Sequence, residues 1–136
     1  ALPILRAMRR KHGPVGLVHV DAHADVNDTM FGEPIAHGTP FRRAVEEGLL
    51  DCHRVVQIGL RGTGYAADDF DWPRQQGFRV VQAEECWHKS LTPLMAEVIA
   101  MSLMPSGVLL KSGTSRSSVT EPDLRVLPSR RASRNV

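Results

Sequence analysis

The 136 residues, 42% hydrophobic and 24% charged, suffice for one domain with a packed core and argue against wholesale disorder. Aromatics at 5% disfavour base-stacking nucleic-acid readers, the cysteines Cys52 and Cys86 form no CxxC pair and so point away from a disulfide framework or structural zinc, and no apolar run approaches the ~20 residues of a membrane span. The net charge of +2 is uneven: residues 1–98 carry 11 Lys and Arg against 13 Asp and Glu, residues 99–136 carry 6 against 2, so the basic character belongs to the C-terminal segment.

In chain order, residues 3–12 read as a helix, with Pro3 suited to the first turn, Ile4, Leu5 and Met8 on one face, and Gly13 to end it. Val15–Val20 is a short apolar strand, expected to be buried on both faces of a parallel sheet. A polar loop, 21–38, leads to a second helix capped by Thr39 and opened by Pro40. Its buried side is set by Phe41, Val45 and Leu49 (or Ala44 and Gly48), and its wet side by the pairs Arg42–Glu46 and Arg43–Glu47. Arg54–Leu60 is a second strand, closed by a turn at Arg61-Gly62-Thr63-Gly64. Residues 65–76 read as an irregular helix interrupted at Pro73. Phe78–Gln82 is a third strand, and Ser90 or Thr92 can cap a helix over 92–102. The strand–helix alternation predicts a parallel α/β sheet with functional groups at the C-terminal strand ends. Eight of the nine serines fall between Ser102 and Ser133, and 105–136 reads as a poorly ordered, Ser/Arg-rich tail following a domain over 1–104.

The chemistry concentrates at Val20-Asp21-Ala22-His23-Ala24-Asp25-Val26-Asn27. Asp21, His23 and Asp25 alternate after an apolar strand, and on an extended segment alternate side chains share a side. Two carboxylates with one imidazole suit a hard or borderline divalent ion such as Mn²⁺. Capped turns also use Asp, so a structural role competes at each position. Asp28 reads first as a solvated loop residue, while Asn27 stands equally between that role and substrate contact. His37, in Ala36-His37-Gly38-Thr39-Pro40, suits a proton shuttle beside a metal and equally a capping or surface role. His19 lies opposite Val18 and Val20 on the strand and fits a core histidine with a satisfied hydrogen bond. Cys52 and Cys86 lack an activating partner and read as buried structural residues.

The strings Val20-Asp21-Ala22-His23-Ala24-Asp25 and His37-Gly38-Thr39-Pro40-Phe41-Arg42-Arg43 resemble the ureohydrolase family of arginase, agmatinase and relatives, and the second string is nearer the agmatinase branch. Arg54-Val55-Val56-Gln57-Ile58-Gly59-Leu60-Arg61-Gly62 extends the resemblance, which covers about residues 1–98. It implies a three-layer α/β/α fold around a parallel sheet, two Mn²⁺ ions, and hydrolysis of a guanidino compound, with agmatine yielding putrescine and urea. Asp21, His23 and Asp25 match metal ligands, His37 a proton-transfer or substrate-orienting histidine, and Asn27 the border of the substrate pocket. Homo-oligomeric assembly and a mitochondrial location are implied as well, with a cytoplasmic one as the alternative. No nucleic-acid or membrane partner is expected. The family's upstream Gly-Gly-Asp-His and downstream Ser-Phe-Asp-Ile-Asp motifs are absent from this sequence. The chain therefore reads as a truncated or alternatively spliced product, and the competing functional reading is an inactive isoform that modulates full-length subunits.

Overall fold

A computed structural model describes residues 1–62 and 69–103. Helix α1 (Leu2–His12) leads into strand β1 (Val15–Val20); helix α2 (Pro40–Glu46) precedes strand β2 (Leu50–Leu60); helix α3 (Asp71–Gln76) precedes strand β3 (Arg79–Gln82), and α4 (Ala83–Cys86) and α5 (Thr92–Leu103) follow. The sheet order is β1-β2-β3 and both pairings are parallel. Val18 lies beside Val56 and Val20 beside Ile58, so β1 stops short of the end of β2 at Leu60.

Alternation along β2, reset by an irregularity at Gly59 between Ile58 and Leu60, creates two cores. Val55 and Leu60 join Leu2, Leu5, Phe41, Ala44 and Phe78 on the face covered by α1 and α2. Val56 and Ile58 join Val81, Val98 and Met101 on the face covered by α5. Helices therefore flank the sheet on both sides, the three-layer α/β/α arrangement anticipated from the sequence.

Several local expectations are corrected. In α1 the buried residues are Leu2 and Leu5, while Ile4 and Met8 face solvent. Strand β1 is not buried on both faces: Val18 is 50% and Val20 73% exposed, because among the described residues β1 has a neighbour on one side only and α5 covers β2 and β3. Among the described residues Pro73 does not interrupt a helix, and the parts of the expected turn and helix over 63–68 lie outside them. Pro73 occupies the third residue of α3, where a missing N–H costs no helical hydrogen bond. Arg43 does not pair with Glu47. It bonds Glu46 at 3.0 Å and Asp28 at 2.7 Å, while Glu47 is taken by Arg6 of α1, also at 2.7 Å. The second strand begins four residues earlier than expected, and α4, absent from the expectations, is opened by a reciprocal capping box between Gln82 and Glu85. Thr39 caps α2 by position, but its hydroxyl bonds the backbone N–H and carbonyl of Ala36 instead of the helix. The free cysteines Cys52 and Cys86 are half-buried, and burial pushes the Cys52 thiol up. The expectation for 105–136 lies outside the described residues.

Because Leu60 is fully enclosed and Val20 is largely solvated, Leu60→Ala is expected to cost about 2–5 kcal/mol and Val20→Ala less than about 1 kcal/mol, read from urea unfolding. Equal costs at the two sites would contradict the observed division of core and open face.

Candidate active site

β1 stops at Val20, and residues 21–27 run as a loop along the end of β2. Backbone bonds fasten it there. The Asp21 N–H donates to the Ile58 carbonyl at 3.1 Å, and the Arg61 and Gly62 N–H groups both donate to the Ala22 carbonyl, at 2.9 and 2.7 Å. Gln57, fully buried in β2, donates its side-chain amide to the Ala24 carbonyl at 2.7 Å. On the other side the Phe41 N–H of α2 donates to the Asp25 carbonyl at 3.1 Å, and Asn27 N–H to the Gly38 carbonyl at 3.0 Å. The loop is thus held between β2 and the start of α2.

Asp21, His23 and Asp25 do not share one side of an extended segment. Asp25 has φ 54°, in the left-handed region that Asp tolerates better than most residues, and this turn breaks the alternation. Asp21 accepts a bond from the His23 backbone N–H at 2.9 Å, which holds its carboxyl below the ordinary range. His23 Nδ1 lies 3.6 Å from the Asp21 carboxylate. Asp25 is half-buried, and loss of solvent pushes its carboxyl up. Among the described residues no three His, Cys, Asp or Glu side chains converge closely enough to form a metal cage.

The loop instead opens onto a cavity of about 310 Å³ at the strand ends. His23, Asp25, Asn27 and His37 all line it, so four of the five residues singled out from the sequence meet in one place; Asp21 is outside its wall. Gly62 closes one side, with the His23 imidazole and the Ala22 carbonyl lying against the place a Cβ would take. His37 remains exposed, 6.4 Å from the Phe31 ring.

Three contributors escaped the sequence reading. Gln57 donates to Ala24, which fixes its amide orientation. The same nitrogen lies 3.2 Å from His19 Nδ1, so that ring nitrogen accepts and Nε2 carries the proton, 3.8 Å from Asp21 Oδ2. A lone amide inside Val55-Val56-Gln57-Ile58 was the available signal. Gly62 was read only as part of a turn. Asp69 lines the cavity too, but sits in an acidic run, Asp68-Asp69-Phe70-Asp71, that reads as solvated surface.

The arginase family model matches residues 1–106. Guanidinobutyrase of Pseudomonas aeruginosa is 82% identical over 97 residues, covering 71% of this chain and 30% of that protein. The mitochondrial agmatinase of Gallus gallus is 68% identical over 96 residues, covering 71% and 28%. Among solved structures, proclavaminate amidino hydrolase from Streptomyces clavuligerus superposes with a TM-score of 0.69 at 37% identity, covering 75% of this chain and 34% of that one. Trypanosoma cruzi formiminoglutamase with Mn²⁺ gives 0.63 at 26% identity, covering 74% and 34%. The chain spans under a third of the length of the curated relatives it matches.

Burial holds the His19 imidazole below its ordinary 6.5, against the pull of Asp21 and Asp25. Between the folded value and 6.5 the unfolded chain binds more protons, so the contribution of His19 to stability is complete above pH 6.5 and is lost as pH falls through the folded value. An NMR titration of the imidazole alongside unfolding at several pH values measures both, and a His19 midpoint at or above 6.5 would contradict the buried, neutral assignment.

Proposed function

The chain belongs to the arginase family, and we propose that it supplies part of a site for hydrolysis of a guanidino compound to an amine and urea. The observation that carries this reading is the meeting of His23, Asp25, Asn27 and His37 around one cavity at the C-terminal ends of parallel strands. In the proposed reaction water adds to the guanidinium carbon, the C–N bond to the alkyl chain breaks, and the departing amine takes up a proton. Asn27 offers hydrogen bonds at the wall, and the exposed His37 can carry a proton between cavity and solvent.

Manganese belongs to this proposal. Two carboxylates and an imidazole are the right donor types for it, and the Trypanosoma cruzi relative carries Mn²⁺. Asp21, His23 and Asp25 would hold the ion, which when bound supplies a water of lowered pKa. Their side chains are not drawn into a cage among the described residues, so these three donors contribute a partial shell.

Agmatine is the proposed substrate from the sequence strings and the Gallus relative; 4-guanidinobutyrate is its rival, supported by the more similar Pseudomonas guanidinobutyrase. A mitochondrial compartment rests on the vertebrate relatives named mitochondrial. The second reading, a non-catalytic partner of full-length subunits, is favoured by the open face of β1 at Val18 and Val20. Excess chain that leaves the activity and size of a co-expressed full-length relative unchanged would remove it.

Calorimetry with Mn²⁺ on the 136-residue chain, beside Asp21→Ala and Asp25→Ala, tests the metal assignment; saturable binding weakened tenfold or more in both variants is expected. Urea release from agmatine and from 4-guanidinobutyrate reads the reaction itself. Mn²⁺ binding that both alanine variants retain would overturn the assignment of the loop carboxylates.

A further inference from the structure

The hydrolase reading gives His19 no part, yet its ring stands between the interior of β2 and the loop that carries Asp21. Parallel register sets His19 of β1 directly beside Gln57 of β2. The fully buried Gln57 amide nitrogen donates to the Ala24 carbonyl at 2.7 Å and lies 3.2 Å from His19 Nδ1. The amide oxygen has no partner, so the bonds of the nitrogen fix the group. Turning the amide over would set two acceptor oxygens against each other at Ala24; the nitrogen therefore stays, and Nδ1 accepts. The proton of the neutral ring is then on Nε2, which lies 3.8 Å from Asp21 Oδ2. At that distance the two attract without a formed hydrogen bond. The Phe41 ring of α2 closes on the imidazole with 4.5 Å between centroids. The other oxygen of the Asp21 carboxylate, Oδ1, accepts the His23 backbone N–H at 2.9 Å. Asp21 is thus addressed at both oxygens, one from its own loop and one from β1. With Nδ1 engaged and Nε2 protonated, the neutral ring has no lone pair to offer an ion, which makes it a donor and not a metal ligand.

We propose that His19 is a positioning residue of the hydrolase site: its Nε2–H, aimed by the Gln57 amide, holds the Asp21 carboxylate in the orientation that binds Mn²⁺. This deepens the hydrolase reading and rests on its assignment of Asp21 to the metal. Carboxylates that bind metals are themselves held by hydrogen bonds, and loss of such a partner costs about 10–100-fold in metal affinity.

The test uses the full chain at about pH 8, where the buried imidazole is neutral, with Mn²⁺ alone as the probe. Calorimetry compares the wild type, His19→Phe and His19→Gln, with Asp21→Ala as the reference. Phe keeps a ring against Phe41 and removes both nitrogens; Gln keeps an N–H at the reach of Nε2. Affinity is expected to fall about tenfold or more in His19→Phe and to return to within about threefold of the wild type in His19→Gln. A long-range ¹H–¹⁵N correlation spectrum of the wild type is expected to show His19 protonated at Nε2, a result that needs no variant to fold. A proton on Nδ1 would overturn the inference. So would wild-type affinity in His19→Phe while Asp21→Ala loses binding, which leaves the metal assignment standing. Binding as weak in His19→Gln as in His19→Phe would make the ring a packing element and overturn it equally. No Mn²⁺ binding by the wild type, or binding that Asp21→Ala retains, would overturn the assignment of Asp21 to the metal, and this inference with it.

Discussion

The carbonyls of Ala22, Ala24 and Asp25 are paired by neighbouring elements, and at Ala24, which is itself buried, an unpaired carbonyl would be costly. Ala22 is served by two successive N–H groups, from Arg61 and Gly62, and Ala24 by the amide of Gln57. Asp25 is served from the opposite side by the first turn of α2. These bonds set the loop's path, and its path sets which side chains reach the cavity.

With the backbone satisfied by neighbours, the loop's own polar side chains are left for other work. His23 is pressed against Gly62, Asp25 turns inward through a left-handed residue, and Asn27 is tied at its backbone to Gly38. Asp28 binds Arg43 and comes within 4.0 Å of Arg42, while Arg42 also lies 4.5 Å over the Trp72 ring. The segment carrying His37 is thereby anchored at both ends, by Asp28 on one side and by the Thr39–Ala36 bonds on the other. Exposed ion pairs of this kind are individually weak, and the enclosed amide of Gln57 contributes more to order because its surroundings exclude water.

Much of this was legible along the chain. Pro3 and Gly13 bracket α1, Val15–Val20 is the strand observed, and the Arg42–Glu46 pair forms at 3.2 Å. His23, Asp25, Asn27 and His37, singled out by residue type and by the family resemblance, line one cavity. What misled was the assumption of extended backbone beyond Val20, since alternation holds only where φ and ψ stay in the strand region and Asp25 leaves it. The open face of β1 was equally invisible, because an apolar run records that a strand can be buried and says nothing of whether a neighbour is present. Asp69 had no readable signal: an enclosed carboxylate and a solvated one look alike in an acidic run.

The sequence by itself determined the α/β alternation, the family, and the donor types gathered after β1, because these follow from local periodicity, turn chemistry and residue identity. Tertiary structure alone decided that Gln57 meets His19, that Asp21 stands outside the cavity while Asp25 and Asp69 line it, and that Gly62 lies against the His23 imidazole. Each of these depends on a distance between segments far apart in the chain, set by the parallel register of β1 on β2 and by which groups that packing removes from water.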